Sequence, residues 1–168
     1  MNFPLFPPQA SEHAVRYDAL FWTISGLTVL FTAIVGVMIY VFATKYRRGS
    51  NADRRNAKSH DQNLEFLLLG VPTVLGLAIF AWSSANFTAY RTPKQNEMEV
   101  FVIGKRWMWH MQHMNGIREN NELHIPVGRP IRLTMISQDV IHAMYLPAFR
   151  AQYHVVPGRY TNIFFTPT

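Results

Sequence analysis

Two long apolar runs without charge limit what this chain can become more than any other feature. No ionisable acid or base occurs from Leu20 to Thr44, a run that includes Leu20-Phe-Trp-Thr-Ile, Val29-Leu-Phe and Val37-Met-Ile-Tyr-Val-Phe. Crossing a hydrocarbon core of ~30 Å takes about 20 helical residues at ~1.5 Å each, so a helix over this run is long enough. Few helices of soluble proteins are apolar on every side over such a length. Trp22 and Tyr40 fall near the two ends, where aromatic rings favour the membrane interface. The second run extends from Leu64 to Phe87 and holds one acid, Glu65, at its start. Asp61, Gln62 and Asn63 precede it and can cap the first amides. Pro72 falls inside this run, which a membrane helix tolerates, with a kink, when neighbours or water satisfy the freed carbonyl.

Charge sets the topology. The formal charge of +6 is concentrated between the runs, where Lys45, Arg47, Arg48, Arg54, Arg55 and Lys58 face only Asp53. Such a cluster reads as a cytoplasmic loop rather than a nucleic-acid face, and it places both chain ends outside. The N-terminal Met1-Asn-Phe-Pro-Leu-Phe-Pro-Pro has neither the basic start of a cleaved signal nor the Arg-rich pattern of a transit peptide, so the first helix is expected to stay and act as its own insertion signal. The expected order is an outer segment 1–19, a transmembrane helix 20–44, a basic cytoplasmic loop 45–62, a second transmembrane helix 63–88 and an outer domain 89–168.

Beyond Tyr90 the texture changes to short β-favouring runs cut by turn residues. Residues 98–103, 106–111, 131–136, 139–146 and 160–165 read as strands, with Asn115-Gly116, Val127-Gly128 and Pro157-Gly158 as turns. Several short strands with no helical segment between them predict a sandwich or barrel. With a strand so near Thr168, the domain is expected to leave an uncovered edge there, closed by a partner or by further residues.

Three local clusters hold the candidate chemistry: Gly104-Lys-Arg-Trp107-Met-Trp109-His110, Ser137-Gln-Asp139-Val-Ile-His142 and Val156-Pro157-Gly158-Arg159. Taken alone, Trp107 and Trp109 alternate as one packed face of a strand would, and a histidine such as His142 on a strand is more often hydrogen-bonded than a metal ligand. The chain contains no cysteine, which excludes a disulfide, a thiolate metal site and a Cys nucleophile within it.

In order and spacing, the two spans, Gly-Lys-Arg-Trp-Met-Trp, Asn121-Glu-Leu-His-Ile-Pro, Ser-Gln-Asp-Val-Ile-His, Pro147-Ala-Phe-Arg150 and Val-Pro-Gly-Arg together resemble subunit II of haem–copper cytochrome c oxidases. The resemblance runs from about residue 12 to the end of the chain. It is nearest to bacterial members whose donor cytochrome c is often tethered or membrane-bound. It implies a membrane protein with a two-helix hairpin and a cupredoxin-like sandwich carrying a dinuclear copper centre, CuA, in the bacterial inner membrane with the domain periplasmic. His142 would be the first copper ligand, Trp107 the port for electrons from cytochrome c, and Glu65 the mouth of a proton path into subunit I. The partners implied are subunit I, other oxidase subunits, membrane lipid and a cytochrome c-type donor, soluble, membrane-held or within a supercomplex; nucleic acid is not among them.

The match departs from the family where the remaining copper ligands belong. Those lie in a late Cys-x-Glu-x-Cys loop followed by a histidine and a methionine, which these 168 residues lack, so CuA cannot be complete within them and a longer native chain is expected. Gln112 and His154 also stand where relatives carry acids. Two other functions compete. One is a copper-free structural subunit of the quinol-oxidase type, which His142 disfavours. The other is a membrane-tethered binding domain unrelated to respiration, which leaves the ordered motifs unexplained.

Overall fold

A computed structural model describes residues 6–53 and 61–168 of the chain. Arg54, Arg55 and Lys58 of the expected cytoplasmic loop lie outside the described residues. Helix α1 spans Glu12–Lys45 and α2 spans Gln62–Arg91, and both are long and apolar enough to cross a membrane.

Each helix is longer than the apolar run that predicts it, because the charge-free window records only the part suited to lipid. Ser11 caps α1: its Oγ accepts the Ala14 amide at 3.1 Å and donates to the Phe149 carbonyl at 2.9 Å. Glu12 in the first turn and Lys45 in the last complement the helix dipole. The hydroxyls of Thr23, Thr28 and Thr44 donate to carbonyls one turn back, which satisfies these three donors within the helix itself. Asp61 caps α2 as expected, its Oδ1 accepting the Leu64 amide at 3.4 Å, and α2 continues through Pro72.

The chain divides into two compact units. Ala19–Ser84 form one; the chain up to Asp18 and from Ala85 to Thr168 forms the other. In this second unit the first turns of α1 belong to the β domain, with His13, Ala14 and Asp18 buried.

Among the described residues the β domain has seven strands: β1 Met98–Lys105, β2 Met108–His113, β3 Arg118–Asn120, β4 Ile131–Ser137, β5 His142–Leu146, β6 Ala151–Val155 and β7 Thr161–Phe165. A five-stranded sheet runs in the order β3-β2-β1-β4-β7, and β5 and β6 form a separate hairpin. The β1–β4 pair is parallel, while the other named pairs are antiparallel. Alternation on β1 sends Val100 and Val102 inward, where they meet Leu133 and Met135 of β4, Met144 of β5, Val155 of β6 and Phe165 of β7 in one core. The fold is a two-layer, cupredoxin-like sandwich preceded by two apolar helices.

Expectation and structure differ at three places. The strand expected over 106–111 begins only at Met108, because Arg106 and Trp107 form the turn out of β1. The strand expected over 139–146 begins at His142, because Ser137 and Asp139 hold the preceding residues in a bend. Strands β3 and β6 were not expected; β6 carries a legible alternation, with Ala151 and Val155 buried and Gln152 and His154 exposed. Ser11 bridges Pro167, the Thr168 amide donates to Ala10, and the Gly128 amide donates to Pro167.

Candidate functional site

The β1–β2 turn is made of Arg106 and Trp107. Trp107 has φ 74° and is 96% exposed. A bulky residue in the left-handed region is strained by ~1–3 kcal/mol, and such strain concentrates at functional positions. Trp109, two residues on, points elsewhere. It packs against the core and meets the His142 ring edge-on at 5.7 Å, while its amide donates to Asn121 Oδ1 at 2.8 Å. The two tryptophans therefore do not share a strand face, which corrects the simple alternation reading. The turn falls between them and separates their environments.

Gly104 makes the inner contact possible. A Cβ there would lie 2.8 Å from the Trp109 ring and 3.2 Å from His142 Cδ2, so the position accepts only hydrogen without displacement.

Asp139 joins the turn to the histidine. Its Oδ2 accepts the Arg106 amide at 2.7 Å, and its Oδ1 accepts the Val140 amide at 2.6 Å and lies 2.6 Å from His142 Nε2. The local sequence explains this posture. Ser137 Oγ accepts the Asp139 amide at 3.2 Å and donates to the Val140 carbonyl, a Ser/Asp turn that aims the carboxylate back toward β1. The hydrogen bond from His142, and then the two amides, hold the Asp139 carboxyl well below the usual carboxylate range. The His142 side chain is 17% exposed.

Asp139 thus links His142 to the Arg106 amide in the turn that carries Trp107. Sequence reasoning gave Asp139, Arg106, Trp109 and Gly104 no such role; the signal available was the spacing of Ser137 and Asp139 before a histidine. Glu65 lies in the first turn of α2, in the other compact unit. Gln112 and His154 are both exposed, on β2 and β6.

Among the described residues no group of three or more His, Cys, Asp and Glu is placed to hold a metal ion. One imidazole already hydrogen-bonded to a carboxylate, with no thiolate in the chain, does not fit a dinuclear copper centre.

Two further ion-pair systems lie away from this network. Arg150, in the left-handed conformation after the short 3-10 turn Pro147–Phe149, reaches Asp18 with Nε to Oδ1 and Nη2 to Oδ2, both at 2.8 Å. Both side chains are nearly buried, 7% and 8% exposed. Glu119 on β3 faces His124 at 3.0 Å and His113 at 3.4 Å, and the His124 amide donation is the main cause of its lowered pKa.

Two helices long and apolar enough to cross a membrane, followed by a cupredoxin-like sandwich with a histidine at the end where an exposed tryptophan stands, are the architecture expected of a respiratory-oxidase subunit 2. Residues 77–168 match the family described as cytochrome c oxidase subunit II, periplasmic domain, and the chain belongs to that family. It is 26% identical to the alternative cytochrome c oxidase subunit 2 of Bradyrhizobium diazoefficiens, across 88% of this chain and 62% of that protein. It is 28% identical to the cytochrome bo(3) ubiquinol oxidase subunit 2 of Buchnera aphidicola, across 83% of this chain and 52% of that protein. With cytochrome c oxidase subunit 2 of Synechocystis it shares 24% identity, across 98% and 64% of the two chains. The chain therefore spans between 52% and 64% of the length of these relatives. The solved periplasmic domain of subunit II of cytochrome oxidase from Bradyrhizobium japonicum aligns at a TM-score of 0.41 and 27% identity, over 44% of this chain and 65% of that one.

Proposed function

We propose that this protein is subunit II of a respiratory terminal oxidase of the cytochrome c-consuming kind, receiving electrons at Trp107 and serving subunit I in the membrane. The observation that carries the reading is Trp107 itself. An aromatic ring is held out to solvent in a strained turn, and that turn is hydrogen-bonded through the Arg106 amide to the carboxylate that fixes His142. A core tryptophan would be buried and unstrained, whereas a port needs a polarisable ring at the surface, positioned by a rigid support.

The remaining roles follow from this reading. The family's domain is periplasmic, and the cations Lys45, Arg47 and Arg48 at the far end of α1 favour the cytoplasmic side of an inner membrane. Glu65 is the proposed mouth of a proton path, since an acid at a membrane boundary is costly and usually functional. The proposed partners are subunit I and the other oxidase subunits. A CuA centre built on His142 requires thiolates that the 168 residues do not contain, so copper would need ligands from additional chain.

A second reading is a quinol-oxidase subunit, favoured by the 28% identity to a bo(3) subunit 2. His142 held by Asp139 supports the first. Oxygen uptake by the assembled oxidase decides between them. The proposal predicts turnover with a reduced c-type cytochrome and none with ubiquinol, and turnover with ubiquinol alone would overturn it.

A further inference from the structure

The turn that holds Trp107 is unfavourable on two counts. Lys105 pairs with Met108, so Arg106 and Trp107 form a two-residue hairpin loop. Trp107 has positive φ and Arg106 does not, which is the pattern of a type II turn, whose third position favours glycine or asparagine. Two-residue hairpins also prefer the primed turns, because their twist matches that of the strands. A conformation of this kind persists only where its surroundings over-determine it.

The flanks of the turn supply that constraint. On the β1 side the Arg106 amide donates to Asp139. On the β2 side one residue, Asn121, takes both main-chain groups of Trp109. Its amide donates to the Trp109 carbonyl at 2.9 Å, and its Oδ1 accepts the Trp109 amide at 2.8 Å. Strand β3 ends one residue earlier, where Asn120 pairs with His110. In a continued ladder the Trp109 amide would donate to the main-chain carbonyl of residue 121, and here the side chain takes that place. Asn121 has φ 57°, and asparagine is among the few residues besides glycine that enter the left-handed region readily. One residue type therefore meets both needs.

We propose that Asn121 is a positioning residue for Trp107. By completing a strand rung with its side chain it fixes Trp109, and with it the β2 side of the turn that presents the Trp107 ring. The inference rests on the reading of Trp107 as the point of electron entry. Asn121 acts through the backbone, as a support that locks the residue carrying a function.

The test uses the assembled oxidase with two substitutions. Asn121→Gly keeps the left-handed conformation and removes the acceptor, whereas Asn121→Asp keeps both. Electron uptake from a reduced c-type cytochrome is followed at high salt, where the charge added by Asn121→Asp is screened. Hydrogen exchange is followed at the Arg106 amide, whose acceptor, Asp139, neither substitution touches. An ordinary hydrogen bond shifts an equilibrium about three- to tenfold, so Asn121→Gly should speed Arg106 exchange and slow uptake by about that factor. Asn121→Asp should restore both to near the parent values. In a Trp107→Ala background Asn121→Gly should cost no further uptake, because a residue acting only through the ring has nothing left to place. Parent-like exchange or uptake in Asn121→Gly, equal losses in both variants, or a loss that persists without the Trp107 ring would overturn the proposal. In each of those cases slow uptake by Trp107→Ala itself leaves the port reading standing. If Trp107→Ala takes up electrons at the parent rate, the port reading falls and this inference with it.

Discussion

The β domain contains two carboxylate-centred supports that differ in nearly every physical respect. Asp18 and Arg150 meet in a two-point, nearly buried pair that ties the first turns of α1 to the 3-10 turn before β6, with Gln9 adding a bond at 2.8 Å and Arg150 also reaching the Pro7 carbonyl at 2.9 Å. Asp139 meets a histidine and two backbone amides at a partly open end, beside a strained and exposed tryptophan. One support is a two-point guanidinium–carboxylate pair between side chains 132 residues apart; the other gathers a ring nitrogen and two backbone amides around one carboxylate. The nearly buried, bidentate pair holds the first turns of α1 to the domain, while the partly open carboxylate network shapes the turn that presents Trp107.

Breaking the first support should cost most. Arg150→Ala strands a buried carboxylate, and the expected loss is about 3–5 kcal/mol of domain stability, read from denaturant unfolding of the full chain in detergent. A loss below ~1 kcal/mol would show that Asp18 finds solvent and that the pair is not a support. Gly104→Ala comes next, at about 1–3 kcal/mol, because the new methyl meets Trp109 and His142. The same substitution should alter Trp109 fluorescence, which an effect on the backbone alone would leave unchanged.

At the second support the expected stability effect reverses sign. Trp107→Gly relieves a left-handed tryptophan and should stabilise the domain by about 1 kcal/mol while abolishing electron uptake. Equal stability of the two proteins would mean that the turn carries no strain. The smallest effect concerns acid. Asp139 has a folded pKa below its unfolded value, so its contribution is present above the ordinary carboxylate range near ~3.9 and is lost as pH falls through the folded value. Asp139→Asn should therefore flatten the acid limb of the stability profile below about pH 4, and an unchanged limb would remove Asp139 from that linkage.

The sequence made some of this legible and hid the rest for identifiable reasons. The two helices were legible because lipid imposes a long continuous pattern, yet their outer turns were not: Glu12, Arg16 and Asp18 end the apolar run without ending the helix. The turns at Gly116, Gly128 and Pro157-Gly158 were legible from their residue types, and all three glycines have positive φ. The break before Met108 was not, since nothing in Lys-Arg-Trp-Met-Trp signals a turn by composition. Trp107, His142 and Glu65 were singled out by motif resemblance. The link between Trp107 and His142 was not, because Asp139 acts through the Arg106 amide, and a backbone donor carries no sequence signature. Arg150 was visible only as part of Pro-Ala-Phe-Arg, and its partner Asp18 is 132 residues away.

The most direct test of the central claim is the rate at which a reduced c-type cytochrome gives up its electron to the assembled oxidase, followed by rapid mixing for the parent protein and for Trp107→Phe. If Trp107 is the port, the variant assembles normally, retains its haem spectrum and accepts electrons at least tenfold more slowly. Undiminished uptake by a correctly assembled variant would place the port elsewhere.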